Sequence, residues 1–322
     1  MKKKLSLFLL ITIIAIFMAA CGSNSSSEEK SNASTEPKET EELTIKHFLG
    51  ETKVKKNPEK VVVFDFGTLD TLDALGVEVA ALPRGGTVPS YLEKYNTDKY
   101  ENVGSLKEPD FEKINELQPD LIIISARQVD LYEEFQEIAP TIYLGVDTTR
   151  YMESFKENAT TIGQIFDKEA EVEAKLAEID ESIAALNEKA TGMDENALVT
   201  LVEDGSVSAY GPASRFGMIH DVFGVKAVDE KIEVSTHGQS VSFEYIVEKD
   251  PNYLFVVDRG AVVTTGEGGS SAKQVLENDL IKGTKAYKEN HIVYLDPNYW
   301  YLSGGGLVSV SEMVKEIEAG LE

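Results

Sequence analysis

Two arginines occupy the same place in a repeated stretch of the chain. Arg127 ends the segment that begins Phe111-Glu112-Lys113-Ile114 and continues through Pro119 and Leu121-Ile122-Ile123-Ile124. Arg259 ends the segment that begins Phe243-Glu244-Tyr245-Ile246 and continues through Pro251 and Tyr253-Leu254-Phe255-Val256-Val257. Every matched position lies 132 residues from its counterpart. In each copy the residues before Pro read as a helix, and the short apolar run after it as a buried strand. The arginine then stands at the strand's carboxyl end, where open α/β sheets bind ligands. Arg215, in Tyr210-Gly211-Pro212-Ala213-Ser214-Arg215, sits between a strand and a helix, and Arg84 follows Pro83 at another strand end. Guanidinium groups stay charged, fork onto oxyanions and stack on aromatic rings. Cations at several loop ends therefore predict a planar ligand with more than one negative charge. A surface ion pair is the competing reading for each arginine taken alone, and the repeat favours the ligand.

Other side chains fit the same picture less securely. Tyr299-Trp300-Tyr301 precedes Ser303-Gly304-Gly305-Gly306. On a strand, successive side chains alternate between faces, so at least one of the three aromatics should face a cleft or solvent. Aromatic rings beside cations suit an aromatic anion, and core packing is the equal alternative. The glycine run lacks a following Lys-Ser or Lys-Thr and is a weak phosphate-loop signal. His237, in the polar loop Ser235-Thr236-His237-Gly238, either lines the cleft or stands in solvent. Glu112 and Glu244 lie near helix starts, where the dipole favours an acid. One acidic knob per repeat would also dock a basic, two-fold symmetric partner. The four histidines are far apart, with no pair at metal-ligand spacing. Neither Gly-x-Ser-x-Gly nor His-Glu-x-x-His occurs. A binding protein is expected, with no enzyme chemistry, no cofactor and no protein-held metal. A lipid-anchored hydrolase and a direct metal binder remain as alternatives.

The elements that must carry these residues alternate. Strands are expected at Val61–Phe64, Val77–Leu82, Leu121–Ile124 and Thr141–Leu144, with helices at Asp65–Leu75, Pro109–Leu117 and Tyr132–Ile138 between them. That order implies βαβ units and a parallel sheet. From Tyr151 to about Ala190 the apolar residues recur at spacings of three and four, with a break at Asp167-Lys168. The part from Glu169 onward would span roughly 33 Å at 1.5 Å per residue. A second α/β lobe follows, with strands at Leu198–Val202, Tyr253–Val257 and His291–Leu295 and helices at Met218–Phe223, Phe243–Glu248 and Val308–Glu318. Asp221-Val222-Phe223-Gly224-Val225 echoes Asp73-Ala74-Leu75-Gly76-Val77. The expected organisation is a signal segment over 1–20, a polar tether over 21–42, an N-terminal lobe over 43–150, a connecting helical region over 151–190 and a C-terminal lobe over 191–322.

The whole chain narrows the function classes. It has 322 residues, 42% of them hydrophobic, enough for two lobes with real cores. A formal net charge of -25 leaves no basic stripe for nucleic acid. Lys2, Lys3 and Lys4 precede an apolar stretch from Leu5 to Phe17, which is the pattern of a secretion signal. That stretch is short for a membrane span. Cys21, the only cysteine, follows Ala19-Ala20, and Gly22 to about Glu42 is polar enough to stay unfolded.

Taken together, these features resemble a known family. The region around Cys21 is similar to a bacterial lipobox, with Met18 where Leu is commoner. That implies lipidation of Cys21, cleavage before it and residence on the outer face of the cell membrane. Beyond residue 40, the two α/β lobes joined by a long helix resemble the substrate-binding proteins of iron-siderophore and cobalamin ABC importers, with the class III periplasmic-binding-protein fold. More narrowly the chain resembles the petrobactin-binding lipoproteins of Gram-positive bacteria. The shared segments are Val61–Gly67, Val103–Phe111, Asp120–Gln128, Ser235–Ser240 and Trp300–Gly306. The resemblance implies a ferric petrobactin or related catecholate ligand, with the iron held by the chelator. It implies an ABC permease partner and a monomer in solution. It makes Arg127, Arg215 and Arg259 anion-binding residues and sets Glu112 and Glu244 against permease arginines. Arg84 departs from the Lys that the resemblance suggests at this place, and its ligand-binding role is an expectation from its strand end. Haem and cobalamin are the alternative ligands, and cobalamin lacks the charge that several arginines would answer.

Overall fold

The computed structural model describes residues 41–263 and 271–322. The expected signal segment, Cys21 and nearly all of the tether lie outside the described residues. Among the described residues, no helix is long and apolar enough to cross a membrane.

The N-terminal half opens with a hairpin of β1 (Glu42–His47) and β2 (Gly50–Lys55) that the sequence reading did not anticipate. Its alternating polar residues give only a weak strand signal. Five strands then form an all-parallel sheet in the order β5-β4-β3-β6-β7. They are β3 (Val61–Val63), β4 (Ala81–Leu82), β5 (Glu101–Asn102), β6 (Leu121–Ile124) and β7 (Thr141–Tyr143). The strand expected over Val77–Leu82 is reduced to its last two residues. Gly76 turns the chain with a positive φ of 69°, and within Val77–Ala80 only Ala80 makes a backbone bond to β3, its N–H donating to Val61 at 2.9 Å. The helix Phe66–Ala74 starts at Asp65, whose carboxylate accepts the Thr68 N–H at 2.7 Å.

Two helices, Tyr151–Ile165 and Glu169–Thr191, follow. The break falls at Asp167, in the left-handed region at φ 53°. The longer helix buries Val172, Ile179, Leu186 and Ala190. That stripe packs against the Tyr151–Ile165 helix and the last helix of the chain, Leu307–Gly320.

The C-terminal half holds a six-stranded sheet of β8 (Asn196–Glu203), β9 (Ser206–Tyr210), β10 (Lys226–Ala227), β11 (Gln239–Val241), β12 (Tyr253–Asp258) and β13 (Ile292–Leu295). Its centre, β8-β12-β13, is parallel as expected, whereas β9 and β11 add an antiparallel edge. The repeat seen in sequence also holds in structure at its helix. Helices Phe111–Leu117 and Phe243–Lys249 start 132 residues apart, and each ends on a left-handed residue, Gln118 or Asp250.

Alternation along the strands sorts the core. In β6, Leu121 and Ile123 face one side and Ile122 and Ile124 the other, and in β12 Phe255 and Val257 oppose Leu254 and Val256. The inner faces of both sheets share one cluster with the two connecting helices and the final helix. The outer faces have separate clusters.

Candidate functional site

A cavity of about 630 Å³ lies between strand ends and loops of both sheets. Arg127, Arg215, Arg259, His237, Trp300 and Tyr301 all contribute to its wall. A smaller cavity of about 220 Å³ shares Lys107, Arg127, Arg259 and Tyr301 with it and is otherwise lined largely by apolar residues such as Phe66, Leu106 and Val262.

Arg127 extends from the 3₁₀ turn Ala126–Leu131, directly after β6. Its neighbour Gln128 is fully buried and fixes that turn. The Gln128 side chain accepts the Ser125 N–H at 3.2 Å and donates to the Leu106 carbonyl at 2.5 Å. The same contact places Lys107 at the cavity, a residue the sequence reading missed. Lys107 lies in a surface-type loop, and only the tertiary contact with Gln128 makes it a neighbour of Arg127.

Arg215 sits in a turn held by Ala213, whose N–H donates to the Asp221 carboxylate at 2.6 Å. Its guanidinium lies 4.3 Å from the Tyr301 ring centroid and 5.5 Å from that of Phe216. One of its amino groups donates to the Tyr301 carbonyl at 2.8 Å. Burial and the nearby charge of Arg127 both hold its pKa below the usual arginine value. A partly buried cation facing another cation is a site in which an anion is favoured.

Arg259 follows β12, and its backbone N–H donates to Val202 at 3.1 Å. Its Nε donates to the Tyr301 hydroxyl at 2.5 Å, and its Nη1 pairs with Glu203, a second residue missed from sequence. Burial raises the Tyr301 hydroxyl, but the Arg259 bond and the charges of Arg215, Arg259 and Arg127 outweigh it, and the net shift is downward. Tyr301 is thus the hub between two of the three arginines.

Trp300 and its neighbours depart from expectation in conformation. Asn298–Leu302 is a π-helical turn, not a strand, so side-chain alternation does not apply. Trp300 is 2% exposed and donates its indole N–H to Glu316 at 2.8 Å. It is a wall of the cavity held from behind, and Tyr301 is the aromatic that meets the cations. His237 is exposed on its loop and reaches the cavity. Gly238 beside it has φ 74°, and a Cβ there would stand 2.7 Å from the Tyr210 ring, so only glycine lets the loop pack this closely.

Arg84 corrects the sequence reading. It lines neither cavity, and its guanidinium donates to the Tyr100 carbonyl at 3.0 Å and approaches Asp98 at 3.9 Å. The loop leaves β4 where expected, but the Asn102 side chain accepts the Arg84 N–H at 3.0 Å, and the side chain runs along β5. Glu112 and Glu244 are exposed in the first turns of the two repeated helices. Among the described residues, no three His, Cys, Asp or Glu side chains converge as metal ligands.

The periplasmic binding protein family pattern matches residues 61–299. The chain belongs to that family. The petrobactin-binding protein YclQ of Bacillus subtilis is 55% identical over 99% of both chains. Its crystal structure superposes with a TM-score of 0.84 at 59% identity, covering 88% of this chain and 99% of that one. The ferric-anguibactin-binding protein FatB of Vibrio anguillarum is 33% identical over 87% of this chain and 88% of its own. The catecholate-siderophore binding protein VctP of Vibrio cholerae matches with a TM-score of 0.82 at 39% identity, covering 87% of this chain and all of that one. The fold is the class III one, with two α/β lobes joined by a long helix, as the resemblance implied.

Proposed function

We propose that this protein captures a ferric catecholate siderophore of the petrobactin type between its lobes and delivers it to an ABC permease for iron uptake. The observation that carries this reading is the convergence of Arg127, Arg215, Arg259 and Lys107 on one cavity, in a chain whose formal net charge is -25. Local positive charge held inside an acidic shell selects an anion and does not reflect general basicity. Tyr301 and Tyr210 add aromatic faces to the same wall, which suits catecholate rings. The names of YclQ and VctP point to the same ligand chemistry. In this reading the chelator supplies every bond to iron, and the protein supplies charge and shape.

Delivery is assigned to Glu112 and Glu244, which stand exposed at equivalent positions of the repeat. Two acids related in this way match a permease with two basic sockets. Lipid attachment at Cys21 would hold the protein at the outer membrane face, beside that permease. Titration with ferric petrobactin, followed by quenching of Trp300, tests the ligand. Saturation at micromolar concentration is expected. A linear, non-saturating response would remove the proposal.

A further inference from the structure

Four cations face the main cavity, and they are not equivalent. Among the described residues, Arg127, Arg215 and Lys107 have no carboxylate within ion-pair distance, whereas Arg259 is paired with Glu203. The pairing follows from strand register. In the parallel β8-β12 pair, Val202 lies opposite Asp258, so the next residues, Glu203 and Arg259, leave the sheet side by side. Among the described residues, only two acids line this cavity, Asp65 and Glu203. Asp65 is already committed as the cap of the Phe66–Ala74 helix. Glu203 has no such task. It ends its strand at the Asp204-Gly205 turn, and its side chain is 40% exposed against 19% for Arg259.

We propose that Glu203 is the resident counterion of Arg259 and sets how much negative charge a ligand must carry to occupy the cavity. This rests on the ferric-siderophore reading above and goes beyond it. The Arg259 guanidinium is engaged on two edges, by Tyr301 at Nε and by Glu203 at Nη1. An incoming anion keeps the Tyr301 contact and must displace the Glu203 carboxylate. A singly charged anion gains too little from Arg259 to do so, because it exchanges one carboxylate-like partner for another. A highly charged chelate also gains Arg127, Arg215 and Lys107, which no acid among the described residues occupies. Glu203 is therefore an internal competitor that excludes weak anions at the expense of some affinity for the intended ligand.

The test compares wild type with Glu203→Gln, which is nearly isosteric and sits at an exposed strand end. The probes are ferric petrobactin and ferric 3,4-dihydroxybenzoate, titrated at low and high salt. Glu203→Gln should bind both about 2- to 5-fold more tightly, the range of a partly exposed ion pair. Its affinity should also fall more steeply with salt. Equal affinity in the two proteins overturns the inference. Weaker binding of both probes overturns it in favour of Glu203 positioning Arg259. Weaker binding of ferric petrobactin alone overturns it in favour of direct contact between Glu203 and that ligand. Failure of wild type to bind either probe overturns the siderophore reading itself, and this inference with it.

Discussion

Asp70 and Ser309 meet across the two halves of the chain. The Asp70 Oδ2 accepts the Ser309 backbone N–H at 2.7 Å, while Oδ1 accepts that of Val308 at 2.8 Å. Asp70 belongs to the first helix of the N-terminal lobe, and Val308 and Ser309 to the first turn of the final helix. A carboxylate from one lobe thus satisfies two orphan donors of a helix in the other, at the end where the dipole favours negative charge. Tyr91 donates to the same carboxylate at 3.0 Å, and its hydroxyl oxygen lies 2.7 Å from that of Ser303. Gly306 is required beside it, since a Cβ there would stand 2.4 Å from the Asp70 carboxyl. With the shared inner core, this contact ties the last helix to both lobes.

Asp70→Asn should destabilise the fold by about 1–3 kcal/mol, because an amide NH2 would then face one of the two backbone N–H donors. The change should also alter the pH dependence. Burial pushes the Asp70 carboxyl up to about 6 despite the hydrogen bonds from Val308, Ser309 and Tyr91, which act in the opposite direction. An acid whose folded pKa is raised binds its proton more tightly in the native state. Its contribution to stability is therefore largest below about pH 4, is lost as pH rises to about 6, and is constant above that. Urea unfolding of both proteins at pH 4.5 and 7.5 checks this. The gap between wild type and variant should be wider at pH 4.5, and a gap independent of pH would refute the assignment.

What the sequence disclosed follows the range of the interactions involved. The helices Phe111–Leu117 and Phe243–Lys249 and the strands after them were legible because apolar periodicity and flanking prolines are local signals. The break between the connecting helices at Asp167 was legible for the same reason. Strand ends located Arg127, Arg215 and Arg259 at one cavity, but a strand end fixes where a side chain begins and not where it points. Arg84 begins at such a place and turns away. The roles of Asp70, Lys107 and Glu203 were not legible. Asp70 meets a helix 239 residues later in sequence, Lys107 depends on Gln128, and Glu203 depends on the β8-β12 register. The π-helical turn at Trp300 carries no composition signal separating it from a strand.

The double change Arg127→Ala plus Arg259→Ala should lower affinity for ferric petrobactin by at least about 100-fold. Each arginine offers a charge-assisted hydrogen bond on the order of 1.5–3 kcal/mol. Arg84→Ala, which removes a guanidinium bound to the Tyr100 carbonyl, should leave affinity within about 2-fold of wild type. Quenching of Trp300 measures both. Equal losses in the two variants would contradict the placement of the cations.

Tyr301→Phe separates the ring from its hydroxyl. The ring that stacks on Arg215 and the carbonyl that accepts from it are retained, and only the hydroxyl that accepts from Arg259 Nε is lost. Affinity for ferric petrobactin should fall by about 3- to 10-fold, less than a whole charge-assisted bond, because the contact is made with and without ligand and its loss acts only by loosening the Arg259 guanidinium. In the unliganded protein, absorbance at 295 nm should lose a tyrosine titration that lies below the usual range, since the arginines hold the Tyr301 pKa down. An unchanged tyrosine titration curve would show that Arg259 and Arg215 do not act on this hydroxyl.

Glu316 gives the cavity wall a pH response near neutrality. Burial pushes its carboxyl up to about 7, against the hydrogen bonds from the Trp300 indole and the Asp296 N–H, and the Asp296 and Glu312 carboxylates raise it further. Above that pH the ionised carboxylate accepts the indole N–H as a charge-assisted bond, and below it the neutral acid is a weaker acceptor. The folded pKa lies above the unfolded value, so the stability contributed by protonated Glu316 is lost as pH rises through about 7. Emission from Trp300, the only tryptophan in the chain, should therefore shift with a midpoint near pH 7. Glu316→Gln should abolish that transition while the far-ultraviolet circular dichroism stays unchanged. Persistence of the transition in Glu316→Gln would refute its assignment to this carboxyl.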